Sequence, residues 1–174
     1  SFLLQFAQMG STYMEHLFGV TRPRIGLLSN GAEETKGNAV VRETNKLLKE
    51  SGLNFVGNIE GHEILRGKAD VVVADGFIGN VVLKAAEGFA DVLLESLGQL
   101  LASKPEYRPA LRAVSRWMDF TEYGGVPLLG VKGNVIIAHG RSNAKAMRSA
   151  IRTAQRSVDR HIVEAMSPIG RASS

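Results

Sequence analysis

The sequence predicts an α/β fold in which a mostly parallel sheet lies between two helical layers. Three observations lead there. Short apolar runs alternate with longer helical patterns from residue 1 to residue 102, in the order α, β, α, β, short α, β, α. The run Ala69–Ala74 is β-branched and almost wholly apolar, the pattern of a strand buried on both faces of a parallel sheet. Polar, glycine-containing turns follow the predicted strands and lead into capped helices, and crossovers of this type are right-handed and pack back on the sheet.

Composition sets the outer limits. At 174 residues, with 44% hydrophobic and 22% charged residues, the chain can bury one good core, and nothing in its length demands a second domain. It has no cysteine, which removes disulfides, thiolate metal sites and a cysteine nucleophile and suits a cytoplasmic location. The four histidines, His16, His62, His139 and His161, are scattered without zinc-ligand spacing, so no metal is expected. A net charge of +4 favours an acidic partner. Nucleic acid ranks last among such partners, because aromatic and basic residues do not interleave as they do on single-strand-binding surfaces. The chain opens inside an apolar helical pattern without an initiator methionine or a basic leader, which is the expectation for a fragment rather than a signal peptide.

In chain order, Phe2, Phe6, Met9, Tyr13 and Leu17 recur at helical spacing, so residues 1–18 read as a helix burying that face, ended by Gly19 and Pro23. Residues 24–29 form the first expected strand. Asn38 caps a helix whose inner face is Val40, Val41, Thr44, Leu47 and Leu48, with Gly52 just past its end. A strand at 54–57 and a short helical piece lead to the strand at 70–74. Asp75 ends that strand, Gly76 to Gly79 form a turn, and Asn80 caps a helix from Val81 to about Ala102. That helix is so apolar that it calls for burial on more than one side, and a homodimer seam is the ordinary answer. A second helix begins near Pro109 and carries Arg108, Arg112 and Arg116 beside Trp117, a composition shared by interfacial helices and by solvated faces over a core. Further strands are expected within 126–131 and 134–138. A last helix, capped by Ser142 or Asn143, has Met147, Ile151, Ala154, Val158 and Ile162 inside and Arg148, Arg152, Arg156 and Arg160 outside. Such a stripe is usually solvated; docking of an acidic partner is the functional alternative. The tail from Ser167 reads as frayed.

Three strand-to-helix turns carry the polar chemistry: Asn30 to Asn38, Asp75 to Asn80, and His139 to Asn143. In a parallel sheet they share the carboxyl edge, where ligands bind. Lys36, Gly37 and Asn38 place a cation just ahead of a helix N-terminus, a combination suited to phosphate. Asp75, Gly76 and Gly79 supply a second close-approach turn. Each residue also has an ordinary reading: a surface lysine, capping asparagines, a core histidine bonding a carbonyl. The motifs GxxxxGK(S/T), GxGxxG and GxSxG are absent, which leaves P-loop, dinucleotide and serine-hydrolase readings unsupported. The residues alone reach an α/β protein that binds an anionic, phosphate-like group.

The segments LLQFAQMGS, RIGLLSNGAEETKGN, FVGNIEG, GKADVVVADGFIGNVVLKAAEG and YGGVPLLGVKGNVIIAHGRSNAKA, in that order, resemble the phosphate acyltransferase family. The likeness covers nearly the whole chain and is weakest over 96–119 and in the tail. It implies a fold related to isopropylmalate dehydrogenase and phosphotransacetylase, and transfer of a fatty acyl group from acyl carrier protein to inorganic phosphate for phospholipid synthesis, with no cofactor. It also implies a homodimer and peripheral attachment to the inner face of the cell membrane through an apolar helical pair at 80–118. Because the family's N-terminal DxMGGD motif has no counterpart, residues 1–174 correspond to the C-terminal part of a single α/β enzyme. On the matching positions the resemblance makes Lys36 and Asn80 active-site residues. His139 is a candidate helper or carrier-protein contact; Arg112, Arg116, Trp117, Arg148 and Arg152 are candidate carrier or membrane contacts. Two competing expectations remain. One is a decarboxylating dehydrogenase of related fold, for which no pair of metal-binding aspartates is evident. The other is a non-catalytic dimerising half that binds the carrier or the membrane.

Overall fold

A computed structural model describes residues 1–118, 124–140 and 142–171. Three strands, β1 (Ile25–Leu28), β2 (Phe55–Ile59) and β3 (Val71–Val73), form a parallel sheet in the order β2-β1-β3. Helices flank it, giving the three-layer α/β/α arrangement. On one face lie α1 (Phe2–Phe18) and α2 (Ala39–Glu50), and between them and the sheet sits the core of Leu3, Ala7, Ile25, Leu27, Leu48 and Val73. The short α3 (Gly61–Ile64) carries the chain from β2 back past β1 to β3. Arg24 and Asp70 lock the amino ends of the neighbouring strands β1 and β3. The Arg24 guanidinium donates to both Asp70 carboxylate oxygens at 2.8 and 3.0 Å, and its backbone N–H donates at 2.7 Å.

Past β3 the chain leaves the sheet. Helix α4 (Gly76–Leu100) has no buried residue and packs chiefly against α5 (Arg108–Met118), which a 3₁₀ turn at Pro105–Tyr107 introduces. Strands β4 (Gly125–Pro127) and β5 (Ile136–Ala138) pair antiparallel in a separate hairpin, covered by α6 (Ala144–Asp159). Helix α7 (Ile162–Arg171) returns along α1, burying Ile162 and Met166. Among the described residues, no helix is long and apolar enough to cross a membrane.

The structure corrects several expectations. Helix α4 begins at Gly76, not Val81, because Asp75 caps it: its Oδ1 accepts the Ile78 N–H at 2.9 Å, so Gly76 to Gly79 form a first helical turn and Asn80 lies inside the helix. Helix α1 is turned about its axis from the expected face, which leaves Met9, Tyr13 and Leu17 half-buried. Leu3, Ala7 and Ser11 are buried, whereas Phe2 and Phe6 are exposed. A similar rotation occurs in α6, which buries Ala146, Ala150, Thr153 and Ser157, half-buries Ala154 and leaves Met147, Ile151 and Val158 exposed. That helix ends at Asp159, and His161 adopts a left-handed conformation (φ 51°), so Ile162 opens a new helix that runs to Arg171, into the tail expected to fray, whose last residues 172–174 lie outside the described residues. The arginines of α6 are exposed, yet Arg156 lies near enough to Tyr13 to oppose the upward pull of burial on its phenol. In α2 the buried residues are Thr44, Asn45 and Leu48, and Val40 is exposed. Strand β3 is half-buried at Val71 and Val72 rather than sealed on both faces.

Candidate functional site

Strands β1 and β3 are neighbours, and the chain departs from their carboxyl ends into different helices. That geometry opens a crevice where α/β sheets characteristically bind ligands. A cleft of about 350 Å³ occupies it. Leu27, Leu28 and Ala74 at the strand ends, with Leu3, Val41, Ile78 and Val82 from the helices, make an apolar wall. Ser29, Asn30, Gly37, Asn38 and Asp75 make a polar rim.

Local hydrogen bonding explains the rim. Asn30 Oδ1 accepts the Gly37 N–H at 2.8 Å, closing the loop after β1. Asn38 Oδ1 accepts the Val41 N–H at 3.0 Å, and Arg42 donates to the Gly37 carbonyl. Gly37 has φ +90°, and a Cβ there would lie 2.5 Å from Val41 Cγ1, so the turn requires glycine. The α2 N-terminus therefore meets the cleft with a neutral cap, the partial positive charge that favours anions. The α4 N-terminus does not match it, because the Asp75 carboxylate caps it and accepts the Ile78 N–H. Ser29 Oγ is buried at the cleft with no hydrogen-bond partner among the described residues. A buried hydroxyl left unpaired costs about 1–3 kcal/mol, so a bound polar group or a water is the ordinary remedy.

Of the residues singled out from the sequence, the cleft gathers Gly37, Asn38 and Asp75. Lys36, adjoining Gly37, is exposed and its side chain packs over Gly31. Gly76, Gly79, Asn80 and His139 do not line the cleft. Asn80 lies about 200° around α4 from Ile78, hence on another face. Four residues along that helix is Lys84, whose Nζ is 2.7 Å from Glu87 Oε2 and 3.5 Å from His139 Nε2. The hairpin thus brings His139 to the Asn80 face of α4, although β5 is no part of the parallel sheet. Arg112, Arg116, Arg148 and Arg152 are exposed, on α5 and α6; the Trp117 side chain lies outside what the structure describes. Among the described residues no group of three or more His, Asp or Glu could hold a metal ion. Sequence reasoning passed over Ser29, which ends a strand like many serines, and Lys84, whose only signal is its spacing of four from Asn80.

The fold and the cleft define the class: an α/β protein with a ligand crevice at the carboxyl edge of a parallel sheet, polar at a helix N-terminus and apolar behind it. More particularly, the chain belongs to the fatty acid synthesis protein family, whose model matches residues 1–165. It is 49% identical over 174 residues to a phosphate acyltransferase of Pelotomaculum thermopropionicum, covering 93% of this chain and 49% of that one. It is 50% identical over 167 residues to one of Syntrophotalea carbinolica, covering 92% and 48%. Against one of Heliobacterium modesticaldum the figures are 47% over 176 residues, 94% and 51%. The chain spans about half the length of these relatives.

Proposed function

We propose that this chain serves the transfer of a fatty acyl group from acyl carrier protein to inorganic phosphate, giving acyl phosphate for phospholipid synthesis. The observation that carries the reading is the cleft at the β1–β3 edge, where the Lys36-Gly37-Asn38 turn and a neutrally capped helix N-terminus adjoin an apolar wall. The names of the relatives support it. Phosphate is already anionic at neutral pH and is its own nucleophile, so no serine or cysteine is needed. Its oxygen attacks the thioester carbonyl, the carbon–oxygen bond forms, and the tetrahedral intermediate expels the carrier thiolate. A thiol pKa of about 8.5 makes that departure easy with little acid assistance.

In this reading Lys36 and the α2 N-terminus hold the phosphate. Asn80 stabilises the oxyanion, a role worth about 3 kcal/mol in comparable sites. The Asn80 role rests on the family resemblance, since Asn80 is not a lining residue of the cleft; Lys84 and His139 brace the same helical face. Phosphate-dependent release of the carrier thiol from acylated acyl carrier protein tests the reading. Lys36→Ala should raise the KM for phosphate, and Asn80→Ala should lower kcat by about a hundredfold. Near-normal kinetics in either variant removes that residue from the mechanism.

The exposed α4–α5 arm supports two further assignments: a homodimer seam along α4, and peripheral contact with the inner face of a membrane near Leu100 and α5. The exposed arginines of α5 and α6 suit an acidic carrier protein or anionic lipid.

A further inference from the structure

Two asparagines lie in the interior where apolar side chains would be expected: Asn45 of α2 and Asn58 of β2, 2% and 3% exposed. Asn45 Nδ2 donates to Asn58 Oδ1 at 2.9 Å, which fixes the orientation of the Asn58 amide. Asn58 Nδ2 then donates at 2.9 Å to the carbonyl of Glu33, in the middle of the loop after β1. The same carbonyl accepts the Lys36 N–H at 3.0 Å. The loop is therefore held at its start by Asn30, at its end by the Asn38 cap, and between them by a polar pair reaching out of the core.

We propose that Asn58, oriented by Asn45, is a positioning residue that sets the Lys36-Gly37-Asn38 turn for binding a phosphate-like anion. This rests on the proposed phosphate-binding role of that turn. A buried amide pair is a poor source of stability, since its net gain over an apolar core is small, but it admits few alternative arrangements. Without the Asn58 donor, the Glu33 carbonyl keeps, among the described residues, the local Lys36 bond, and the loop is free to rock on its two ends. A displacement near 1 Å is enough to cost a site about ten- to a hundredfold.

Two measurements on the chain itself test the assignment, with Asn58→Leu and the milder Asn58→Ser so that one folded variant is available. Amide hydrogen exchange should accelerate at Lys36 and Gly37 while the amides of β1 and β3 keep their protection. Inorganic phosphate, titrated against the amide shifts of Gly37, Asn38 and Ala39, should bind at least about tenfold more weakly. In a Lys36→Ala background the Asn58 substitution should add little. Unchanged exchange at Lys36 and Gly37 overturns the clamp, and full additivity with Lys36→Ala overturns its action through that residue. If Lys36→Ala alone leaves phosphate affinity untouched, the phosphate assignment fails; the exchange result then decides the clamp by itself.

Discussion

At the scale of single residues, charge and capping fix where the chain is held. Hydrogen bonds from Arg24, first its guanidinium and then its backbone N–H, hold the Asp70 carboxyl below its ordinary value against the opposing pull of partial burial. A carboxylate whose pKa is lowered on folding stabilises the native state fully above the unfolded pKa of about 3.9, and loses that contribution as pH falls through the lower folded value. The stability gap between the native chain and Asp70→Asn, measured by urea unfolding, should stay constant from neutral pH to about 5 and close below about 4. Glu63, lowered by Lys68, titrates in both proteins and drops out of the difference. A gap that persists to the acid limit would show that the bridge is not the source. Capping gives a second prediction. Asp75→Ala should cost about 1 kcal/mol and speed exchange at the Ile78 amide, whereas Asn80→Ala should leave that amide protected. The sequence made Asn38 readable as a cap, since glycine precedes it and a helical pattern follows. It misled at Asp75, because two glycines look like a turn although a first helical turn tolerates them.

At the scale of elements, α1 and α6 share a design in which hydrophobic periodicity misplaces the buried stripe by about 100°. Each helix presents small residues to its partner, which lets backbone approach backbone. A Cβ on Gly10 of α1 would lie 2.6 Å from Val71 Cγ1 of β3, and one on Gly124, beside β4, would lie 2.2 Å from the Ala146 carbonyl of α6. Large side chains cannot enter such gaps, so Phe2, Phe6, Met147 and Ile151 are left on the other side. Periodicity located α1 and the start of α6, ran α6 past its break at Asp159, and set each buried stripe about 100° off, because it weighs bulk and not closeness of approach. Ala7 is 0% exposed, so Ala7→Leu should destabilise by about 1–3 kcal/mol, and Phe2→Ser, at a side chain 76% exposed, should stay within about 0.5 kcal/mol. Thermal or urea unfolding checks the pair, and the reverse ranking would restore the aromatic face as the buried one.

At the scale of the whole molecule, the alternation of strands and helices made the parallel sheet and its carboxyl edge legible. The division of the polar groups between the cleft and the far face of α4 was not, because it depends on where α4 starts and on a hairpin that leaves the sheet. The same helix carries an open apolar surface. Over 25 residues it buries none, and Phe77, Leu83, Phe89 and Val92 are each more than 60% exposed. Apolar area of that extent on one element marks an interaction surface rather than scattered exposure. Its charged interruptions, Lys84, Glu87, Asp91 and Glu95, suit a protein seam better than the hydrocarbon of a bilayer. Sedimentation velocity should therefore find a dimer that Phe89→Asp with Val92→Asp converts to monomer while circular dichroism is unchanged. Leu100→Ser with Leu101→Ser, at the far end, should instead preserve the dimer and weaken co-sedimentation with anionic liposomes. A dimer that survives the first pair removes the seam from α4, and liposome binding that survives the second removes the membrane contact from its tip.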